Sequence, residues 1–326
     1  MGSGKWAIVV HGGAGVIERS RLKPEQERAY RAALAHATQV GANIVEKGGS
    51  ALDAIEAAIC LLEDDPLFNA GRGAAFSAEG RNELDAAIMD GATLQAGAVA
   101  GITQTKHPIS LARAVMAHSP HVMLIGAPAD DFATSQGLEQ ADPAYFYAPQ
   151  RWRSLERFLV AEGMPIPEKP LGDFDLPKTE LVHDEGKHGT VGVVALDRAG
   201  NVAAGTSTGG ITGKRWGRVG DSPIIGAGTY ASNASCAVSA TGAGEYFIRL
   251  AVAHAIAVRV ELKGMSLQAA ADEVIQDKLA ALGGDGGVIA VSPDGQMAWS
   301  FNTSGMYRAR AAEGQPMIVS IYKDEL

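Results

Sequence analysis

The stretch His188-Gly189-Thr190-Val191-Gly192 decides how this chain of 326 residues is interpreted. Thr190 opens an apolar run, residues 191–196, that is typical of a buried strand. A threonine hydroxyl is a weak nucleophile, but a cut before Thr190 would free an α-amino group on the same residue. That amine, with a pKa of about 8, can accept the hydroxyl proton near neutral pH. A lone Gly-Thr-Val also fits an ordinary strand threonine, so the rest of the chain must decide between this interpretation and a nucleophile freed by cleavage.

The composition is that of a globular protein with 46% hydrophobic and 20% charged residues and a net charge of −9. Its lysines and arginines form no basic run, so we expect neither nucleic acid nor a membrane as partner. Cys60 and Cys236 lie in apolar runs. We expect neither a disulfide nor a zinc site, because no pair of cysteines or histidines has ligand spacing.

The chain shows neither a signal peptide nor an apolar run of membrane-spanning length, which predicts a cytoplasmic protein. Its last four residues, Lys323-Asp324-Glu325-Leu326, spell an ER-retention signal. We interpret this ending as a coincidence, because such an address is read only after entry into the secretory pathway.

The order of predicted elements favours two packed sheets. A strand at 5–10 precedes helices at 24–47 and 51–62, the second capped by Ser50, and another helix is predicted at 108–118. The second half runs strands, then helices at 245–262 and 266–282, then strands. Two antiparallel sheets packed face to face, with helices on both outer faces, would bury all of these apolar sides. The expected fold class is therefore α+β, in one domain spanning 1–326. Residues 150–187 carry recurrent prolines and show neither the helical nor the strand periodicity. This pattern predicts a flexible surface segment that leads to the cut before Thr190.

Two loops have alternative interpretations. His11-Gly12-Gly13-Ala14-Gly15 follows the first strand and is either a simple turn or a wall that lets backbone approach a site. A phosphate cradle is disfavoured there, because the required glycine order is missing. The loop from Glu63 to Gly73 is either a solvated connector or a set of carbonyls turned around a hard cation.

Three further glycine-flanked polar groups follow Thr190. They are residues 206–210 (Thr-Ser-Thr-Gly-Gly), residues 217–223 (Gly-Arg-Val-Gly-Asp-Ser-Pro) and residues 240–245 (Ala-Thr-Gly-Ala-Gly-Glu). Arg218 and Asp221 together would bind a zwitterion. Considered without the other motifs, the two residues would more simply form an ordinary surface ion pair. The Thr241 hydroxyl and the Gly242 N–H would stabilise an oxyanion.

These motifs together resemble the plant-type L-asparaginase/isoaspartyl peptidase family of N-terminal-nucleophile (Ntn) hydrolases. The resemblance also covers residues 11–15, 66–71, 84–86, 89–91 and 301–306, and so nearly the whole chain. It implies a four-layer αββα sandwich and self-cleavage between Gly189 and Thr190. The products would be an α subunit (1–189), with a flexible end at about 160–189, and a β subunit (190–326). They would assemble as a dimer of αβ heterodimers.

The resemblance also implies roles for individual residues. Thr190 would be the nucleophile and Thr208 would orient or activate it, while Thr241 and Gly242 would form the oxyanion hole. Substrate would be bound by four residues: Arg218 at its α-carboxylate, Asp221 and the Gly244 carbonyl at its α-ammonium, and Asn69 as part of the wall. A structural sodium would be held by the main-chain carbonyls of Leu62, Glu63, Asp65, Phe68, Ala70 and Arg72. No cofactor is expected for catalysis.

The implied reaction is hydrolysis of L-asparagine or an isoaspartyl (β-aspartyl) dipeptide through a β-aspartyl ester on Thr190, which releases aspartate. One alternative is a glycosylasparaginase-like amidase, although that branch is expected to carry an export signal. The threonine aspartase branch departs from the pattern at 188–190. A third alternative is an uncleaved, non-catalytic relative that only binds aspartyl compounds. The preference between asparagine and isoaspartyl dipeptides, the potassium dependence and the rate of cleavage stay open.

Overall fold

The computed structural model describes residues 4–169 and 189–325. The strands are β1 (Ala7–Gly15), β2 (Leu84–Asp90), β3 (Ala96–Ile102), β4 (Met123–Ile125), β5 (Val191–Leu196), β6 (Val202–Thr208), β7 (Thr229–Ala231), β8 (Ala237–Gly242), β9 (Gly286–Val291), β10 (Met297–Phe301), β11 (Gly305–Ala312) and β12 (Gln315–Tyr322). The α-helices are α1 (Pro24–Glu46), α2 (Ala51–Asp64), α3 (Pro108–His118), α4 (Gly126–Ser135), α5 (Pro143–Phe146), α6 (Pro149–Ala161), α7 (Gly244–Leu250), α8 (Val252–Lys263) and α9 (Leu267–Asp272).

The larger sheet has eight strands in the order β12-β11-β1-β5-β6-β2-β3-β4. Its central strands are antiparallel, and the β5–β6 register pairs Val191 with Ser207. The edge pair β3 and β4 is parallel, because α3 crosses over between these two strands.

The smaller sheet is antiparallel, in the order β10-β9-β8-β7. An apolar layer that includes Val9, Val194, Ala204, Ala237 and Ile289 lies between the two sheets. Helices α1 to α3 cover the outer face of the larger sheet, and α8 and α9 cover that of the smaller one. The predicted α+β fold, a four-layer αββα sandwich, is thereby confirmed. Among the described residues, no helix is both long and apolar enough to cross a bilayer.

Strands from either side of the bond between residues 189 and 190 alternate within the larger sheet. β1 lies between β11 and β5, and β6 pairs with β2 on its other side. The two segments of the chain are therefore interleaved by main-chain hydrogen bonds, in addition to sharing the apolar layer between the sheets.

The first strand is longer than the sequence predicts. β1 continues through His11 to Gly15, residues interpreted above as a loop, and its pairing with β11 shifts register between His11 and Gly13. This bulge turns the glycine-rich end of the strand without breaking it. The glycines hid the strand because they carry no side chain to display its alternation.

The predicted flexible segment at 150–187 is wrong in its first part. Residues 149–161 form α6, whose Trp152, Leu155 and Leu159 lie on one buried face at helical spacing. The charges on the other face and the nearby prolines hid this periodicity. Residues 162–169 carry no regular secondary structure apart from a turn. The remainder of the predicted segment, including 170–188, lies outside the described residues.

Candidate active site

Two threonine hydroxyls meet where β5 and β6 lie side by side. The register of the two strands places Thr190 beside Thr208. The Thr190 hydroxyl donates to Thr208 Oγ1 over 3.2 Å, and the Thr208 hydroxyl in turn lies 3.4 Å from the Gly189 carbonyl oxygen. The main-chain N–H of Gly210 also donates to Thr208 Oγ1, over 3.0 Å. Thr208 therefore links the predicted nucleophile to the carbonyl of the predicted scissile bond.

Asn69 ties the first segment of the chain to this corner. Its side-chain amide donates to the Gly210 carbonyl over 2.7 Å, and its amide oxygen accepts from the Ala75 N–H over 2.7 Å. The main-chain carbonyl of Asn69 accepts from the Gly209 N–H over 3.0 Å. These bonds hold the turn that follows Thr208.

Arg218, Asp221 and Gly244 form a second group beside the threonines. A Cβ on Gly244 would lie 2.9 Å from both Arg218 Nη2 and Asp221 Oδ1, so the helix start at residue 244 packs directly against both charges. Arg218 binds Glu245 through two hydrogen bonds of 2.9 and 3.0 Å. This pair shows that the guanidinium is oriented to take a carboxylate at two points.

Asp221 is buried, and its Oδ2 has no hydrogen-bond partner among the described residues. Burial raises the pKa of this carboxyl to about 7, against opposing contributions from its own main chain and from Arg218. A buried carboxylate oxygen without a partner is a costly feature that a cationic ligand would satisfy.

Thr241 and Gly242 end β8 on the facing sheet. Gly242 lines a small pocket, of about 10 Å³, together with Thr190, Thr208, Arg218 and Asp221. The Thr241 side chain is buried, and its Oγ1 lies 3.4 Å from the main-chain N–H of Ala14. Three other predicted site residues adjoin those that line the pocket: Asn69 bonds to Gly210, Thr241 precedes Gly242, and Gly244 packs against Asp221.

His11 lies opposite Gly192, two residues after the predicted nucleophile, and the sequence did not indicate this position. The ring is fully buried, and Nε2 lies 3.0 Å from Ser239 Oγ. Burial lowers the pKa of this imidazole to about 3, against an opposing contribution from the main chain of Thr190. His11 is therefore neutral at physiological pH. From Ser239 a chain of hydroxyls continues through Thr206 and Thr229, each contact 2.7 Å long.

Asp85 was also missed as a site residue. It pairs with Thr208 across β2 and β6, while Thr190, which immediately precedes β5, contacts Thr208 through its hydroxyl. Asp85 Oδ1 accepts from the Gly101 N–H over 2.8 Å, while Oδ2 has no partner among the described residues. A carboxylate in the apolar run 84–89 was the sequence signal that could have found it.

The loop predicted to hold a cation packs main-chain oxygens tightly against its glycines. Glu63 and Phe68 carbonyls lie so close to the loop glycines that a Cβ on Gly71 would overlap Glu63 O, and one on Gly73 would overlap Phe68 O. The Glu63 carboxylate is engaged by Ile109 and Ser207, and Asp65 Oδ1 accepts from the Leu67 N–H. Hydrogen bonds thus engage side-chain oxygens of both acids, and a cation held by the main-chain carbonyls of this loop stays a prediction.

Comparison with known proteins gives full-length matches. The family model described as asparaginase matches residues 4–321. An isoaspartyl peptidase of Salmonella typhimurium is 47% identical over 321 residues, which cover 98% of this chain and 99% of the relative. An isoaspartyl peptidase of Escherichia coli is 47% identical over 324 residues, covering 99% and 98% of the two chains. A plant-type L-asparaginase of Pyrococcus abyssi is 44% identical over 311 residues, covering 94% and 97%.

The matched regions extend across both segments of the chain and so span the positions of Thr190, Thr208 and Asp221. The fold, the arrangement of motifs and the full-length matches agree with one another. This chain belongs to the asparaginase family that includes the isoaspartyl peptidases and the plant-type L-asparaginases.

Proposed function

We propose that this protein is a threonine-type Ntn hydrolase that cleaves isoaspartyl (β-aspartyl) dipeptides and L-asparagine and releases L-aspartate. The observation that carries the proposal is the Thr190–Thr208 contact beside the unpartnered carboxylate oxygen of Asp221. The names of the relatives, isoaspartyl peptidase and plant-type L-asparaginase, support the substrate class.

Thr190 first acts on its own chain. Its Oγ attacks the Gly189 carbonyl carbon, the C–N bond breaks, and the departing nitrogen takes the hydroxyl proton. Water then hydrolyses the resulting ester and leaves Thr190 with a free α-amino group. The Thr208 hydroxyl, 3.4 Å from the Gly189 carbonyl oxygen, supports this step because it can donate to the oxygen as negative charge develops.

In the cleaved enzyme, Thr190 Oγ attacks the side-chain carbonyl of the substrate, and its own amine takes the proton. The amine then returns the proton to the leaving group, which departs as ammonia or an amino acid. Water hydrolyses the β-aspartyl ester and releases aspartate. Thr208 orients the nucleophile, and Thr241 with the Gly242 N–H stabilises the oxyanion.

The free α-groups of the substrate determine how it is held. Arg218 exchanges its two bonds to the exposed Glu245 for the α-carboxylate, and Asp221 takes the α-ammonium with help from the Gly244 carbonyl. Asn69 holds the turn at Gly210 and so fixes the wall of the site. Specificity for a free aspartyl head follows, while the leaving-group side is less restricted.

The test is the mass of the purified protein and of two variants at position 190. The wild type should give two fragments that meet at residue 190, and Thr190→Ala should remain one inactive chain of 33.8 kDa. Thr190→Ser should cleave, because it keeps the hydroxyl. A Thr190→Ala protein that splits at this bond, or a fully active wild type that stays continuous, would overturn the proposal.

The same preparations discriminate between the alternative activities. The cleaved enzyme should hydrolyse β-aspartyl dipeptides and L-asparagine, each with release of aspartate. Preferential turnover of glycan-linked asparagine would instead identify a glycosylasparaginase-like amidase. Binding of aspartyl compounds without any turnover would identify a non-catalytic relative.

We also propose a structural ion. Sodium is held by the main-chain carbonyls of residues 62–72 named above and takes no part in catalysis.

We propose that the protein assembles as a dimer of αβ heterodimers. The exposed apolar residues Val122, Met123 and Ile125, at the β4 edge of the larger sheet, support this assembly. Both cysteines are free thiols, which suits the cytoplasm.

A further inference from the structure

Three side chains with metal-binding chemistry converge outside the active site. Cys60 and Glu63 lie three residues apart on α2, and His107 immediately precedes α3. One ligand atom from each residue lies within 4.8 Å of the other two. His107 Nδ1 and Glu63 Oε2 are 3.3 Å apart. A nitrogen and an oxygen ligand of one tetrahedral zinc ion lie roughly 3.3 Å apart, so this pair, which is also at the distance of a hydrogen-bonded ion pair, already has the separation that a shared ion requires.

Each of these side chains has a second partner that holds its orientation. Glu63 Oε1 accepts from the Ile109 N–H over 3.1 Å and from the Ser207 hydroxyl over 2.6 Å, which leaves Oε2 for the cluster. His107 Nε2 lies 3.7 Å from Asp64 Oδ1, which is beyond hydrogen-bond distance but within that of an ion pair. A carboxylate near the second nitrogen of a histidine is common in metal sites, where it helps to orient the ring.

The Cys60 sulfur also has a hydrogen-bond partner beside the cluster. Cys60 Sγ lies 3.5 Å from the Ser110 hydroxyl. Cys60 and His107 are both only partly buried, so an ion from solvent can reach the cluster, whereas Glu63 at its base is fully buried. The site thus combines one buried acidic ligand with two ligands that solvent can reach.

The geometry points to a binding site for a zinc ion, formed by Cys60 Sγ, Glu63 Oε2 and His107 Nδ1. Thiolate and imidazole select a borderline-soft divalent ion over sodium, calcium or magnesium. The expectation of no zinc site considered only pairs of cysteines and histidines. It missed this cluster because the third ligand comes from a carboxylate and the histidine lies 44 residues beyond it.

This zinc site is distinct from the proposed sodium loop, although Glu63 connects the two. Its carboxylate faces the cluster, whereas its main-chain carbonyl faces Gly71. The hydrogen bond from Ser207 joins the cluster to β6, one residue before Thr208. Zinc bound there would fasten α2 to α3 and to the strand that carries Thr208, so we expect it to raise the melting temperature of the protein.

The experiment uses cobalt and zinc with the full-length chain after chelator treatment. Co²⁺ bound through a thiolate has a sulfur-to-metal charge-transfer band in the near ultraviolet, which reports Cys60 directly. The wild type should show this band and lose it when Zn²⁺ is added. Cys60→Ser should lack the band, and His107→Gln should lose it or require at least about tenfold more cobalt.

Two matched variants provide the controls. Cys236→Ser removes the other cysteine, and His118→Gln removes an exposed histidine on α3, so both should keep the band and the rise in melting temperature with Zn²⁺. Far-UV circular dichroism establishes that each variant is folded. The proposal is overturned if the folded wild type gives no thiolate band, if the band survives Cys60→Ser, or if it disappears with Cys236→Ser.

Discussion

Gly192 has a stereochemical role that its place in the motif does not reveal. A Cβ at this position would overlap both Ser239 Oγ and His11 Nε2, so only glycine lets the imidazole lie against β5 two residues after Thr190. The motif therefore contains one residue for chemistry and another for close packing. The sequence predicted the first from reactivity, but the second requires knowledge of what lies across the sheet.

Asp221 gives a prediction at the level of one residue. An acid whose pKa is raised on folding contributes stability that is present below its unfolded pKa of about 4 and is lost as pH rises through its folded pKa of about 7. Asp221→Asn removes this loss. Relative to the parent, the variant should therefore gain up to about 4 kcal/mol in unfolding free energy between pH 4 and pH 8.

The measurement is urea unfolding across this pH range, with both proteins in the Thr190→Ala background so that neither chain is cut. Asp131→Asn, which removes an exposed carboxyl, is the control and should leave the pH dependence unchanged. If the unfolding free energies of Asp221→Asn and its parent change with pH in parallel, the pKa of the Asp221 carboxyl is not raised by folding and the prediction is wrong. The gain in stability should accompany a loss of substrate binding.

At the scale of elements, the helices and central strands could be predicted because burial imposes a clear period on them. α3 begins and ends at the predicted residues, and Ser50 caps α2 as predicted through the Asp53 N–H. The predictions failed where side chains give no period. The glycine-rich half of β1 lacks side chains, and the predicted helix 245–262 is broken at Ala251, where φ is +46°.

The residues of the candidate site also fall into two groups, those that the sequence could reveal and those that it could not. Residues with distinctive chemistry between glycines, such as Thr190, Arg218 and Asp221, could be found from the sequence. His11 and Asp85 could not be assigned a role, because their importance comes from strand pairing. The sequence does not show that Asp85 lies beside Thr208 or that His11 faces Gly192.

The proposed sodium loop gives a prediction at this scale. Sodium chloride should raise the melting temperature of the wild type relative to choline chloride at equal ionic strength, because the ion binds the folded loop alone. Gly73→Ala should abolish this difference, since its Cβ would overlap the Phe68 carbonyl and displace a ligand. Gly314→Ala, at a turn with open space but a φ of +70°, strains the backbone far from the loop; it is the control and should retain the sodium effect. An undiminished sodium effect in Gly73→Ala would place the ion elsewhere.

At the scale of the whole molecule, the interleaved sheet predicts how the cleaved protein behaves. Fragments 1–189 and 190–326 should elute as one particle from a native sizing column and separate only in denaturant. The reason is that β1 is hydrogen-bonded on both sides to strands of the second fragment. Light scattering with denaturing electrophoresis of the same fraction provides the measurement. Separate elution of the fragments without denaturant would contradict the predicted arrangement.

The position of β1 between β11 and β5 also bears on when the proposed cleavage takes place. Neither fragment contains all the strands of this sheet, so we expect the proposed cut at residue 190 to follow folding of the continuous chain. After such a cut, a molecule that unfolds must bring two separate chains together again, which adds a concentration-dependent step that the uncut chain does not have.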